Sequence, residues 1–344
     1  MSGKEHITSV NGGTHFEELR GYNTVIGAFQ RDKITNLSTV TEFFLMGFSN
    51  DQDEQILYFV LFLCIYLVVL VGNFLIILAI AMNHHLHTPM YFFLVSLSLT
   101  DIGYITTTIP KSMVASWTDN RLISFAGCVA QVFLIISFGG SELALLTIMA
   151  YDRYVAICHP LQYRLIMNWD ACTQMAAASW ITALIYALLQ TSVTFRMYFC
   201  GSNIIGQYFC DIPQLMKISC TDTKVNQILT SFFAIAFGSC CGGFIFVSYG
   251  YIFSAALRIP SVKGRYKAFS TCTPHLTVFS LFITTALFSH MRPKTLSTPT
   301  VDLISAILYT VLPPVLNPII YSLRNKDIQE AVWQIPKKLK MLLR

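Results

Sequence analysis

Charge is what this 344-residue sequence has least of: Asp, Glu, Lys and Arg together make up 12% of it, against roughly 25% in a soluble globular domain. That shortage excludes a chain whose whole surface faces water. The period-two alternation a membrane barrel needs is also missing, because the apolar blocks are continuous. In the first 55 residues no apolar core follows a basic start, so no cleavable signal is expected and the first apolar block directs insertion itself. The sequence carries no His-Glu-x-x-His and no nucleophile-base pair such as an intramembrane enzyme requires; "NHHLH" at 83–87 reads as a short interfacial loop. Matching halves with broken helices, the mark of many transporters, are not evident either.

What is present is apolar length. Hydrophobic residues make up 54% of the chain and gather at 56–82, 89–115, 126–151, 173–193, 226–254, 270–290 and 301–322. Each block suits a bilayer core about 30 Å thick, and backbone groups in lipid must be satisfied within the segment, so each is expected to be helical. The expected fold is an all-α membrane protein, a seven-transmembrane helix bundle. It divides into an amino-terminal tail (1–55), the bundle (56–322) and an amphipathic helix with a basic tail (323–344). In that last segment Val332, Trp333 and Ile335 are expected to face lipid, with Pro336 ending the helix before a basic stretch drawn to anionic headgroups.

Charge placement orients the bundle. With the amino terminus outside, the inner segments hold twelve bases, among them Arg153, Arg164, Arg258, Lys267, Lys326 and Lys338, against four acids; the outer segments hold eleven bases and twelve acids. The positive-inside rule therefore favours an outside amino terminus. On this topology Cys128, Cys200, Cys210 and Cys220 all fall outside, where disulfides form, and four cysteines leave three pairings open. The glycosylation acceptor Asn36-Leu37-Ser38 also falls outside.

Polar residues within the apolar blocks carry the functional signal. Asn73 lies in span one, Asp101 in span two, Glu142 in span three and Asn317 in span seven. Asparagine serves as interhelical glue, but an ionised carboxylate at the bilayer centre costs several kcal/mol, so the two acids are expected to face a hydrated cavity, share a proton or hold a small cation. Span seven reads "PPVLNPIIY": Pro313, Pro314 and Pro318 break its hydrogen-bond ladder and suit a two-state movement. At the inner end of span three, "MAYDRYVAICHP" places Asp152 beside Arg153. Interfacial anchoring explains the arginine and one tyrosine, but an acid at a helix carboxyl end is disfavoured by the dipole. A local pair that holds the guanidinium accounts for both.

These motifs stand in an order that resembles a known family. "LHTPMYFFL" (86–94), "SLSLTD" (96–101), "MAYDRYVAICHPLQY" (149–163), "SY" (248–249), "KAFSTCTPHL" (267–276) and "NPIIYSLRNKD" (317–327) are together similar to the olfactory receptors, a branch of the rhodopsin-class G-protein-coupled receptors. The resemblance implies a resting pair of Asp152 and Arg153, with Arg153 entering a G-protein cleft on activation, supported by Tyr249 and Tyr321. It implies a polar core of Asn73, Asp101, Glu142 and Asn317 beside Pro318, which hosts a sodium ion in related receptors; no other cofactor is expected. It pairs Cys128 with Cys210 and Cys200 with Cys220. It also implies a plasma-membrane receptor of olfactory cilia that signals through the stimulatory olfactory G protein and cyclic AMP, with lipid but no nucleic acid as a further partner. A non-olfactory chemosensory receptor for a small metabolite is the alternative. Three features depart from the pattern: about 35 residues precede Asn36, Phe282-Ile283-Thr284 replaces Phe-Tyr-Gly, and Gln207 stands where histidine is common.

By the family's geometry the ligand lies among Val132, Ile135, Ile136, Gly139 and Gly140 of span three, Phe233 and Phe237 of span five, Ile283, Thr284 and Leu287 of span six, and Ile307 and Thr310 of span seven. That lining suits a small, mostly apolar volatile molecule with one polar group, for which Thr284 and Thr310 are the expected handles. Span seven has no lysine for a retinal Schiff base, and the outer half of span three has no acid for a biogenic amine.

Overall fold

The computed structural model describes residues 40–46, 51–118, 120–200, 202–291 and 298–342; Asn36 lies outside them. Among the described residues seven helices are long and apolar enough to cross a membrane: α1 (Gln52–Ala81), α2 (Pro89–Thr118), α3 (Phe125–Cys158), α4 (Trp169–Phe195), α5 (Lys224–Leu257), α6 (Val262–Met291) and α7 (Pro299–Arg324). An eighth, α8, covers Lys326–Leu342. The apolar blocks expected from sequence fall on these helices, the first running one residue past the end of α1 and the others lying within theirs, and most helices overrun them. At 34 residues each, α3 and α5 are about 50 Å long, well beyond a core of about 30 Å, so polar turns project from it.

Local chemistry sets several ends. Ser124 Oγ accepts from Gly127 N at 3.1 Å at the start of α3, and Asn168 Oδ1 accepts from Ala171 N at 2.9 Å at the start of α4. Thr298 Oγ1 accepts from Val301 N at 3.3 Å, with Pro299 opening α7. Each side-chain oxygen satisfies an amide that has no partner within its helix.

We call the end bearing the disulfides upper and the end bearing Asp152 lower. At the upper end three strands form one sheet, β1 (Glu42–Leu45), β2 (Leu122–Ser124) and β3 (Ile204–Ile205), in the order β2-β1-β3. β1 runs antiparallel to β2, with Phe43 opposite Ile123, and parallel to β3, with Phe44 opposite Ile204. Phe43 and Leu45 are buried beneath the sheet against Cys128, Val132, Phe199 and Cys210. Part of the stretch expected as a tail is therefore structure. Its burial alternates as in a strand with one buried face, but "EFFL" does not alternate polar with apolar residues, so no period-two pattern in the sequence marked it.

The lower core gathers Ile76, Leu97, Leu146, Met149, Ile245, Tyr249, Ile252, Cys272 and Tyr321, and the upper core gathers Phe62, Tyr104, Ile105, Ile135, Tyr208 and Tyr309. Phe74, Leu188, Phe244 and Phe246 point outward, where they suit lipid.

In α8 two expectations change. Ile335 faces inward with Ile328 and Ala331, while Trp333 is 82% exposed. The helix also continues through Pro336 to Leu342. A proline here removes only the bond to the Val332 carbonyl. Buried Ile335 holds the helix on one side, and on the other Lys338 Nζ donates to Met82 O at 2.8 Å and to Asn83 Oδ1.

Candidate functional site

Asn317 brings three helices together at mid-depth. Its Nδ2 lies 3.0 and 3.2 Å from the two Asp101 oxygens and 3.0 Å from Glu142 Oε1. One amide thus donates both protons to two buried carboxylates from α2 and α3. Two acids round a single neutral donor call for added positive charge, as a shared proton or a small cation. Asn317 Oδ1, Asn73 Oδ1 and Ser141 Oγ are buried without hydrogen-bond partners among the described residues. Such an all-oxygen set fits a hard cation rather than a thiophilic metal.

The break in α7 is legible atom by atom. Pro318 has no N–H, so the Pro314 carbonyl loses its helical donor. Asn73 Nδ2, which also donates to Val69 O at 3.0 Å, approaches that carbonyl at 3.4 Å. Gly72 lets α1 come this close: a Cβ there would stand 3.2 Å from Pro318 Cγ.

At the lower end Asp152 is 2% exposed. Its Oδ2 is 3.9 Å from Arg153 Nε, and its Oδ1 accepts from the Tyr163 hydroxyl at 2.7 Å. Tyr163 stands on the single helical turn Tyr163–Ile166 that follows α3. Burial first, then the Asp152 charge, push its phenol above the usual tyrosine range, which keeps it a proton donor.

Tyr249 and Tyr321, expected to support Arg153 on activation, are both buried, and here the Tyr249 hydroxyl lies 2.9 Å from His275 Nδ1. His275 Nε2 is 2.8 Å from Leu146 O. A carbonyl only accepts, so Nε2 carries the proton and the neutral ring accepts from Tyr249 at Nδ1. One imidazole therefore joins α3, α5 and α6. Tyr321 Oη has no partner among the described residues. Tyr163 and His275 were both inside quoted motifs, yet neither was singled out. A histidine in an apolar helix was the signal for the second.

At the upper end a segment of the loop between α4 and α5 forms a lid. The Cys128–Cys210 and Cys200–Cys220 disulfides are present. Gln131 Oε1 accepts from Cys210 N at 2.9 Å while its Nε2 donates to Thr107 O at 3.0 Å. Gln207 Nε2 donates to Asp302 O at 3.0 Å, and Lys217 Nζ reaches Asp302 Oδ2 at 3.0 Å. Burial raises the Tyr208 phenol pKa above its usual range, and the phenol is 2.5 Å from Thr310 Oγ1. Thr310 gives its own proton to Ala306 O at 2.7 Å, so the phenol is the donor in this pair.

The expected lining residues separate. Ile135 and Ile307 pack in the upper core, and Val132 and Ile136 pack beneath the sheet. A Cβ on Gly139 would face Tyr104, whereas one on Gly140 would meet Ala183 Cβ at 3.3 Å, so Gly140 serves the close approach of α3 to α4. Phe237 stacks on Tyr186 at 4.7 Å, Phe233 meets Phe232 edge-on, and Ile283 is partly buried against the lower core. Thr284 and Leu287 depart from expectation. Both lie on the outward face of α6, and the Thr284 hydroxyl donates to Ser280 O at 2.6 Å within its own helix. The helical phase explains this, because the exposed Thr273, Thr277, Ser280, Thr284 and Leu287 follow three- and four-residue steps. "NHHLH" forms the short turn His84–Leu86, and no cluster of three or more His, Cys, Asp or Glu gathers among the described residues.

Comparison with known proteins finds relatives along most of the chain. A family model described as olfactory receptor matches residues 62–338. The human olfactory receptor 14I1 is 50% identical over 311 residues, covering 89% of this chain and 99% of that protein. Human olfactory receptor 14A16 is 46% identical over 304 residues (88% and 98%), and human olfactory receptor 5A1 is 43% identical over 309 residues (90% and 98%).

Proposed function

The chain belongs to the olfactory receptor family, multi-pass G-protein-coupled receptors for small odorants rather than enzymes, and from that membership we propose how it signals. A small, mostly hydrophobic volatile ligand enters the upper half, beneath the lid, among α3, α5, α6 and α7. The upper end is extracellular and the lower end cytoplasmic, in the plasma membrane of olfactory cilia. The charge balance of the loops supports that orientation. At the lower end the receptor activates the stimulatory olfactory G protein and raises cyclic AMP.

The observation that carries this reading is the Asp152 side chain, buried at the lower end of α3 and held between Arg153 and Tyr163. At rest Asp152 and Tyr163 hold Arg153 back. A ligand that binds the active arrangement more tightly shifts the population towards it and frees the guanidinium for the G protein. Tyr249 and Tyr321 then support the freed arginine, which requires Tyr249 to leave His275. Asn317, Pro318 and the Asp101–Glu142 pair form the adjustable middle; Asp101, Glu142 and Asn317 Oδ1 would hold a sodium ion, which would supply the positive charge that the two carboxylates lack in the resting state.

The test is cyclic-AMP accumulation in cells that carry the stimulatory olfactory G protein, with an amino-terminal tag stained on intact cells. Ligand-dependent signal that disappears in Arg153→Ala at equal surface staining supports the reading; full signalling by that variant overturns it.

A further inference from the structure

Beside the proposed ligand region, α4 buries polar groups that the protein itself does not use. Gln190 is 2% exposed. Its Nε2 donates to the Tyr186 hydroxyl at 3.0 Å and, across to α5, to the Thr230 carbonyl at 3.1 Å. Its Oε1 is buried without a partner, as is Thr230 Oγ1. The Tyr186 ring is clamped: it stacks on Phe237 at 4.7 Å and 12°, and its Cδ1 lies 3.5 Å from where a Cβ on Gly140 would be. The phenol oxygen accepts from Gln190, and among the described residues nothing accepts the phenol's proton.

An unused donor and an unused acceptor therefore sit side by side where water is scarce, and each carries the free-energy cost of an unmade hydrogen bond. The two polar atoms of an amide are about 2.2 Å apart, so Gln190 Oε1 lies within about 5 Å of the phenol oxygen. One hydroxyl group bridges such a gap with two ordinary bonds.

We propose that Tyr186, held by Gln190, and the Gln190 carbonyl form the oxygen-binding subsite of the ligand pocket and select small alcohols. The ligand oxygen accepts the phenol's proton, and the ligand's own hydroxyl proton goes to Gln190 Oε1. This rests on the odorant-receptor reading above. A ketone or ether of the same skeleton meets only Tyr186, and a hydrocarbon meets neither group.

The experiment uses the full-length receptor in G-protein-bearing cells and dose–response curves for matched sets: an alcohol, the corresponding ketone and the parent hydrocarbon of one skeleton, across linear, terpenoid and benzylic skeletons. The wild type is expected to favour the alcohol over its ketone by about tenfold or more. Tyr186→Phe keeps the ring stack and is expected to weaken alcohol and ketone alike by about tenfold. Gln190→Met is expected to bring the alcohol-to-ketone ratio to within about twofold. Surface staining accompanies every curve, and if Tyr186→Phe fails to reach the surface, the ratio in Gln190→Met decides.

Unchanged alcohol potency in surface-expressed Tyr186→Phe, or an unchanged ratio in Gln190→Met, overturns the subsite. So does a wild type that responds best to ketones or hydrocarbons. Those results leave the receptor reading standing, whereas silence of the wild type to every compound counts against both.

Discussion

Replacing Tyr163 with phenylalanine removes one oxygen and leaves everything else at the lower end in place. The lost bond is the 2.7 Å donation to Asp152 Oδ1. A hydrogen bond to a charged group contributes about 1.5–3 kcal/mol. Asp152 is buried, but Tyr163 is only half-buried, and water replaces part of the bond, so about 1 kcal/mol is the reasonable net figure. If the bond exists only in the resting arrangement, that amount raises the active-to-resting ratio about fivefold. The assay is ligand-independent cyclic-AMP accumulation, normalised to surface-tag staining. Basal signal should rise about fivefold, and Asp152→Asn, which also frees Arg153, should raise it further. Unchanged or lower basal signal in Tyr163→Phe at equal surface expression would refute the reasoning, because the bond would then not distinguish the two states.

Three other perturbations have defined outcomes. Gly72→Val drives a side chain into Pro318, only 3.2 Å from the position of a Cβ; a destabilisation of about 1–3 kcal/mol is expected as a lower melting temperature in detergent. Asn317→Leu strips Asp101 and Glu142 of their shared donor, and a loss of about 3–5 kcal/mol should appear as intracellular retention, with unaltered surface staining counting against it. Cys128→Ser opens the longer of the two disulfide loops, 82 residues against 20, and should lower surface expression more than Cys200→Ser, the stability cost being about 2–5 kcal/mol.

The spans were legible because a bilayer imposes its thickness on composition, and the buried Asp101, Glu142 and Asn317 stood out because an apolar block makes any carboxylate or amide side chain conspicuous. Positions that depend on helical phase were harder to read. Thr284 and Thr285 are neighbours in α6, yet Thr284 is exposed and Thr285 half-buried; about 100° of rotation per residue separates them. The lid was less legible still. Gln131, Gln207 and Asp302 lie far apart in sequence, and each partner is fixed by a fold the local pattern does not encode. β1 pairs with strands about 80 and 160 residues away, so its register could not follow from local pattern.

The strength of the lower restraint must match what the ligand can supply. A small odorant that buries about 200 Å² of apolar surface gains about 5 kcal/mol in gross terms, and only the difference between its affinities for the two arrangements moves the equilibrium. Driving a population from 1:99 to 99:1 takes about 5.5 kcal/mol, slightly more than the whole of that gross gain, so the resting state must be held by less than such a ratio implies. A deeply buried, bidentate ion pair would hold the resting state beyond a small ligand's reach. One arginine nitrogen 3.9 Å from Asp152 and one half-buried tyrosine bond form a weaker restraint, within it. The consequence is quantitative: where the active state is a minor population, apparent affinity scales with its fraction. Tyr163→Phe should therefore shift agonist dose–response curves to lower concentration by the same factor, about fivefold, by which it raises basal signal. A rise in basal signal without that leftward shift would mean that Tyr163 acts on G-protein contact itself and not on the equilibrium between the two arrangements.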